Sequence, residues 1–222
     1  MIQALLYKEY IKTRAAYALL AALLWGICIY LSLNVHRIAG IKGAAHLWEV
    51  AISRDAIFVQ WLKFVPLIAG ILAGVAQFVP EMVQKRLKLT IHLPCSCTAS
   101  AGTMLTYGAA ALSAIYAVDF LILNIALGKV FAEEIVSRIL MTALPWHLAG
   151  VTAYLLTAWV ILEPAWKVRV FNMGISALLI RLFFLSDTPE AYNRFIPILA
   201  ITAAVTASFP FISVDRFKAG RE

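Results

Sequence analysis

Long apolar runs alternate with short polar interruptions along the whole chain. Reading the runs in order predicts membrane spans at about 15–35, 58–80, 103–127, 143–163, 169–186 and 195–214. Each is close to the 20 or so residues that cross about 30 Å of hydrocarbon as a helix. The first 14 residues read differently. Ile2, Leu5, Leu6 and Tyr10 recur at helical spacing, and Lys8, Glu9, Lys12 and Arg14 stand between them. That pattern predicts an amphipathic helix lying in the headgroup plane, or else a charged start leading into a signal-anchor span. The polar interruptions are 36–57, 81–102, 128–142, 163–169 and 186–194. The first contains His46, Trp48, Glu49, Arg54 and Asp55 and has room for a short interfacial helix. Glu163-Pro164 ends the fourth span, and Ser186-Asp187-Thr188-Pro189-Glu190 forms a turn after the fifth.

Composition agrees with this pattern. The chain has 222 residues, 63% of them hydrophobic and 14% charged, where a soluble domain carries about 25% charged residues. The expected fold is therefore all-α, a single polytopic membrane domain over 1–222 with no room for a soluble domain. The net charge of +7 suits anionic lipid headgroups rather than nucleic acid, because no soluble basic face is available. Eleven of the 19 basic residues (Lys8, Lys12, Arg14, Lys85, Arg86, Lys88, Lys167, Arg169, Arg216, Lys218 and Arg221) fall on one side of a six-span layout. The positive-inside rule makes that side cytoplasmic. Both termini, the tract 81–102 and the turn 163–169 are then cytoplasmic. Trp48, Trp61, Trp146 and Trp166 fall near the predicted interfaces, as an aromatic belt requires. Three cysteines, Cys28, Cys95 and Cys97, do not make a disulfide framework.

The most informative interruption is 81–98. It opens with Glu81, continues through the basic cluster Lys85, Arg86 and Lys88, and alternates Leu87, Leu89, Ile91 and Leu93 against polar neighbours. Pro94 breaks it before Cys95-Ser96-Cys97-Thr98. On charge alone it is an ordinary positive-inside loop. Together with the N-terminal Leu6-Tyr7-Lys8-Glu9-Tyr10-Ile11-Lys12 and the six spans, it resembles the membrane subunit of type-2 ABC transporters, the exporter permease family. In that family the first cytoplasmic loop runs from an acid through a basic cluster and Gly-Thr-Leu to Leu-x-x-Pro-x-Ser. Here Glu81, Lys85-Arg86, Leu87-Lys88-Leu89-Thr90 and Leu93-Pro94-Cys95-Ser96 stand in those places, without the Gly-Thr-Leu-Glu. The resemblance implies that Glu81, Lys85, Arg86, Leu87, Leu89, Leu93 and Pro94 form a coupling element seated on a separate ATPase. It implies a second permease copy or a related permease as partner, spans 2 and 5 as the translocation face, and the bacterial cytoplasmic membrane as location. This chain would bind no cofactor, ATP and magnesium belonging to the partner. It contains no P-loop, since its one Gly-Lys, Gly128-Lys129, has Leu123 where the first glycine belongs. The cargo is unspecified, with a hydrophobic or amphipathic molecule favoured by the apolar spans.

Polar residues inside spans are functional candidates. Asp119 in span 3 and Arg181 in span 5 fall at similar depth in the outer half, which predicts an intramembrane pair or, for Arg181, a place facing substrate. Separate snorkelling of the two is the alternative. Gly70-x-x-x-Gly74 in span 2 predicts close helix packing. Asn124 and Asn172 read as interhelical glue. His92, Cys95 and Cys97 are three zinc-type ligands with Pro94 among them, one short of the usual four. Gly174-Ile175-Ser176 with His147 as base is a match for an intramembrane protease, but helix rise separates Ser176 and His147 by about 15 Å in depth. An ion-coupled carrier centred on Asp119 and a structural subunit of a larger membrane complex remain the alternatives to a permease.

Overall fold

A computed structural model describes residues 2–43, 47–50, 58–84, 96–186 and 188–219. The described residues are helical, with no strand among them. Among the described residues the longer α-helices are, in order, α1 (Ile2–Lys42), α2 (Val65–Val83), α3 (Cys97–Leu127), α4 (Glu133–Leu162), α5 (Trp166–Arg181), α6 (Ile196–Thr206) and α7 (Phe209–Lys218), and residues 47–50 are helical as well. Short 3₁₀ turns precede α2 at Gln60–Leu62 and follow α5 at Leu182–Phe184. Among the described residues, five helical stretches are long and apolar enough to cross a membrane: Ile2–Lys42, Gln60–Val83, Thr98–Leu127, Glu133–Leu162 and Ile196–Lys218. The run predicted as a span at 169–186 falls on α5 and its 3₁₀ turn. The α-helical part has 16 residues, fewer than the 20 or so of a straight crossing.

The N-terminal segment is not a separate helix. α1 runs unbroken for 41 residues, about 62 Å at 1.5 Å per residue. Its buried stripe is Leu5, Glu9, Thr13, Tyr17, Leu20, Leu24, Cys28, Leu31 and Val35, one residue every three or four positions. The N-terminal part of that stripe is polar. The apolar residues of the same turns point outward, with Tyr7 65% and Tyr10 52% exposed. The segment is thus amphipathic as its spacing predicts, but its polar face meets the protein and its apolar face meets the surroundings.

That inversion holds for the bundle. Ile2, Leu19, Leu23, Tyr30, Leu33, Leu121, Ile125, Phe171, Leu178, Ile198 and Ile201 are exposed, whereas Glu9, Gln77, Glu81, Asp119, His147 and Glu163 are buried. Water would impose the opposite arrangement. Hydrocarbon tolerates it, provided the polar groups are satisfied inside.

α4 is the centre. It packs against α2, α3, α5, α6 and α7, while α1 pairs mainly with α3. Its first turn carries Glu133 and Glu134, acids that complement the positive end of the helix dipole. It continues through Pro145 to Leu162. Trp146 lies inside this helix and is buried among Cys28, Leu123 and Ala143. It is therefore a core residue, not part of an interfacial belt, whereas Trp61 and Trp166 are largely exposed. The Gly70-x-x-x-Gly74 face of α2 lies on α4. A Cβ on Gly70 would land on the carbonyl of Gly150, and one on Gly74 would come within 2.8 Å of Thr157 Cβ. Two backbones in such contact leave no room for a side chain at either position.

Chain direction follows from the contacts. Lys12 at the start of α1 meets Glu81 at the end of α2. Arg169 at the start of α5 meets Glu163 at the end of α4, and Ser213 of α7 meets Glu163 as well. At the other end, Phe64 before α2 stacks on Phe184 after α5, with ring centroids 5.2 Å apart.

Candidate functional site: a buried polar network across four helices

The end of the bundle that carries Glu81 encloses a continuous hydrogen-bonded network. α2 supplies Glu81 and Gln77, four residues apart and hence on one helix face. α1 supplies Lys8, Glu9, Lys12, Thr13 and Tyr17. α3 contributes Tyr107 and the carbonyls of Met104 and Gly108, and α4 contributes Tyr154.

Lys12 Nζ is the hinge of the charged part. It lies 2.8 Å from Glu81 Oε1 and 2.7 Å from Glu9 Oε2. Lys8 Nζ approaches Glu81 Oε1 at 3.2 Å from a more exposed position. Two lysines against two glutamates make the group neutral. Glu9 and Glu81 are fully buried, so each carboxylate depends on these ammonium groups, as an isolated buried charge would be untenable.

Gln77 joins the charged part to the rest. Its Nε2 donates to Glu9 Oε2 and to the Met104 carbonyl, both at 2.9 Å. Its Oε1 accepts from Tyr154 Oη at 2.8 Å and Tyr17 Oη at 3.3 Å. All four hydrogen-bonding positions of the amide are used, and the four helices are tied to one side chain. Thr13 Oγ1 donates to the Glu9 carbonyl at 2.8 Å and lies 3.3 Å from Tyr107 Oη. Gly108 makes this possible: a Cβ there would occupy the space of Tyr154 Oη and Gln77 Oε1. Beside the lysines, an open cavity of about 520 Å³ is lined by Lys8, Ile11, Lys12, Pro80 and Gln84.

Of the residues expected to form the coupling element, Glu81 is the one described, and it is buried against α1. Lys85, Arg86, Leu87, Leu89, Leu93 and Pro94 lie outside the described residues, as do His92 and Cys95. The described chain resumes at Ser96, which caps α3 by accepting from the Ala99 amide at 3.2 Å. Among the described residues, no group of three or more His, Cys, Asp or Glu could hold a metal ion.

The Asp119–Arg181 pair is not formed. Asp119 is fully buried, with Oδ1 accepting from Cys28 Sγ at 3.4 Å and Oδ2 3.8 Å from His147 Nε2. Arg181 is exposed near the end of α5. Depth along the helix was similar, but α3 faces α1 and α4 at this level. Ser176 Oγ donates to the Asn172 carbonyl of its own helix at 2.7 Å, and His147 faces Asp119. Asn124 is exposed and Asn172 is buried.

A third polar contact ties α4, α5 and α7. Glu163 Oε2 accepts from Ser213 Oγ at 2.7 Å and faces Arg216 Nη1 at 3.5 Å. Its carbonyl accepts from Arg169 through Nη2 at 2.6 Å and Nε at 3.2 Å.

Sequence reasoning missed Glu9, Gln77 and Tyr154. A signal for the first was present: Glu9, Thr13 and Tyr17 continue the four-residue spacing of the core stripe of α1. Gln77 follows Gly70 and Gly74 on the packing face of α2, and a polar residue there has to be satisfied by a neighbour. Comparison of the chain with known protein families, with curated proteins and with solved structures gives no match.

Proposed function

We propose that this chain is the membrane-spanning permease subunit of an ATP-driven transporter, coupled through residues 81–96 to a separate ATPase. The observation that carries this reading is Glu81. It stands where the basic, leucine-bearing tract begins, and it is locked by Lys8 and Lys12 into a network reaching α1, α3 and α4. A push on the tract would be delivered to α2, and the network would pass it to the other three helices as a body. Transmission by rigid helices joined through a few discrete contacts is how such shear and hinge motions work.

The layout in this reading has six passes with both termini beside the tract, on the cytoplasmic side of a bacterial cytoplasmic membrane. Contacts at the two ends of the bundle support it. Lys12–Glu81, Arg169–Glu163 and Ser213–Glu163 gather at one end, and Phe64–Phe184 lies at the other, so the α5 segment runs the length between them. The ATPase brings ATP and magnesium, and a second permease, identical or related, completes the pathway. A hydrophobic or amphipathic cargo fits the groove of about 400 Å³ between α3, α4, α6 and α7, which is lined by Leu105, Ala109, Leu155, Ala203 and Phe211 among others.

The test is affinity purification of the tagged full-length protein in mild detergent, with mass spectrometry of what accompanies it and an ATPase assay. The expected result is a stoichiometric nucleotide hydrolase that Leu89→Asp with Leu93→Asp releases while the permease stays folded. A homogeneous preparation without ATPase would refute the reading. A second reading, an ion-coupled carrier, is favoured by one observation: the buried Asp119 facing His147.

A further inference from the structure

Away from the Glu81 network, α1, α3 and α4 enclose a second group of buried polar atoms. Asp119 lies eight residues before the end of α3 at Leu127, about 12 Å along the helix. His147 lies near the middle of α4 and is 3% exposed. Its ring is held by Tyr116, edge-on at 5.0 Å between centroids, and by Phe120 at 4.5 Å. Asp119 Oδ2 and His147 Nε2 are both buried without a hydrogen-bond partner, and they face one another at 3.8 Å.

The hydrogen-bond pattern fixes most of the protonation. His147 Nδ1 lies 2.9 Å from the Ala143 carbonyl. A carbonyl only accepts, so Nδ1 carries a hydrogen. Nε2 then has either a lone pair or a second hydrogen, and it points at a carboxyl oxygen. If Asp119 were ionised and His147 neutral, a buried carboxylate would face a lone pair. Among the described residues its one donor would be the Cys28 thiol at 3.4 Å, which is a weak one. The other groups packed around the site do not relieve it. From α1, Ser32 Oγ donates to the Cys28 carbonyl. On α3, Tyr116 Oη donates to the Pro66 carbonyl of α2 at 2.7 Å. Phe183 and Leu199 pack with Ala149, two residues from His147 and on the other side of α4, and bring apolar groups only.

One added proton resolves the conflict. On Asp119 it makes a neutral acid donating to Nε2. On His147 it makes an imidazolium against the carboxylate. The proton count is the same in both arrangements. We propose that Asp119 and His147 together bind a single proton inside the bundle, so that the packed state of α1, α3 and α4 is the proton-loaded state of this chain. The ligand is a proton, the site is its own, and the inference stands whether or not an ATPase drives the transporter. Parting α3 from α4 would let water solvate both groups and release them from sharing.

The experiment uses a full-length protein in which His36→Gln, His46→Gln and His92→Gln leave His147 as the one histidine, so the site itself is unaltered. It is labelled with ¹⁵N-histidine and placed in lipid nanodiscs near neutral pH. Nitrogen chemical shifts report whether Nε2 is protonated. Infrared difference spectra against Asp119→Asn report whether a carboxylic-acid carbonyl band belongs to Asp119. The expected result is one of two signatures: both ring nitrogens protonated with no acid band at Asp119, or a bare Nε2 together with an acid band that Asp119→Asn removes. A bare Nε2 with no such band, or a doubly protonated ring together with the band, gives zero or two protons and overturns the proposal. If Asp119→Asn does not fold, Asp119 is assigned instead by ¹³C-aspartate labelling of the single-histidine protein.

Discussion

Replacing Glu81 by Gln keeps the volume of the side chain and removes its charge. The buried group then holds Lys8 and Lys12 against Glu9 alone, a net charge of +1 where there was none. Removing one partner of a buried ion pair typically costs about 3–5 kcal/mol, because the other charge is left uncompensated. Two features place this case near 3 kcal/mol, the lower end. Lys8 is 36% exposed and can turn to water, and Lys12 keeps Glu9 at 2.7 Å. Replacing Lys12 by Met makes the opposite error, leaving Glu9 and Glu81 with Lys8 as their one cation. The double replacement returns the charge count to zero. Its cost should therefore fall below the sum of the singles by about 2–3 kcal/mol, within the range found for groups in one network. The assay is reversible unfolding in mixed micelles, with the fraction of the denaturing detergent raised stepwise and helix content or steric trapping as the readout. A double variant as unstable as the two singles summed, to within about 0.5 kcal/mol, would show that the carboxylate and ammonium do not act on one another.

Other expected outcomes follow from neighbouring contacts. Gly70→Ala forces α2 off the Gly150 backbone and should destabilise by about 1–3 kcal/mol as an overpacked contact, whereas Gly174→Ala, with nothing within 4 Å of its added methyl, should be neutral or gain up to about 1 kcal/mol from helix propensity. The same unfolding assay compares them, and equal stability of the two would refute the reading of the packing face. Tyr154→Phe deprives Gln77 Oε1 of its 2.8 Å donor and should cost about 1–2 kcal/mol; Tyr17→Phe, at 3.3 Å, should cost less. Ser213→Ala removes the short donor to Glu163 and should loosen α7 from α4, seen as faster amide exchange over 209–218 with little change in α2.

The class of fold was legible because bilayer thickness sets run length, and the runs at 58–80, 103–127, 143–163 and 195–214 largely overlap the helical stretches Gln60–Val83, Thr98–Leu127, Glu133–Leu162 and Ile196–Lys218. Two features misled. Apolar spacing at Ile2, Leu6 and Tyr10 identifies an amphipathic helix without saying which side faces the protein, and in a membrane the polar side can face in. Pro145 and Trp146 read as the start of a span because proline favours first turns and tryptophan favours interfaces. In the structure α4 starts nearly three turns earlier, on Glu133 and Glu134, and passes through both. The candidate site was legible in part. Gly70 and Gly74 mark a contact by what they lack, and Glu81 stood out as an acid ending an apolar run. Its partners lie 69 and 73 residues away in sequence, and no local pattern reports a pairing at that distance. Asp119 was identifiable as a buried acid for the same reason that its partner was not: helix rise gives depth, but which helix lies alongside is decided by packing.

The polar inner face of α1 bears on how the protein is made. Lys8, Glu9, Lys12 and Thr13 leave the ribosome before their partners: Gln77 and Glu81 appear some 65 to 75 residues later, and Tyr154 still later. Until then the opening turns of α1 have nothing to shield them, and hydrocarbon is closed to them. The nascent segment has to wait at the water–lipid boundary, then slide into register when α2 arrives and be fastened when α4 follows. Shortening the chain before residue 154 should accordingly leave these turns accessible to water-soluble lysine reagents, and the complete chain should protect Lys12 far more than Lys8.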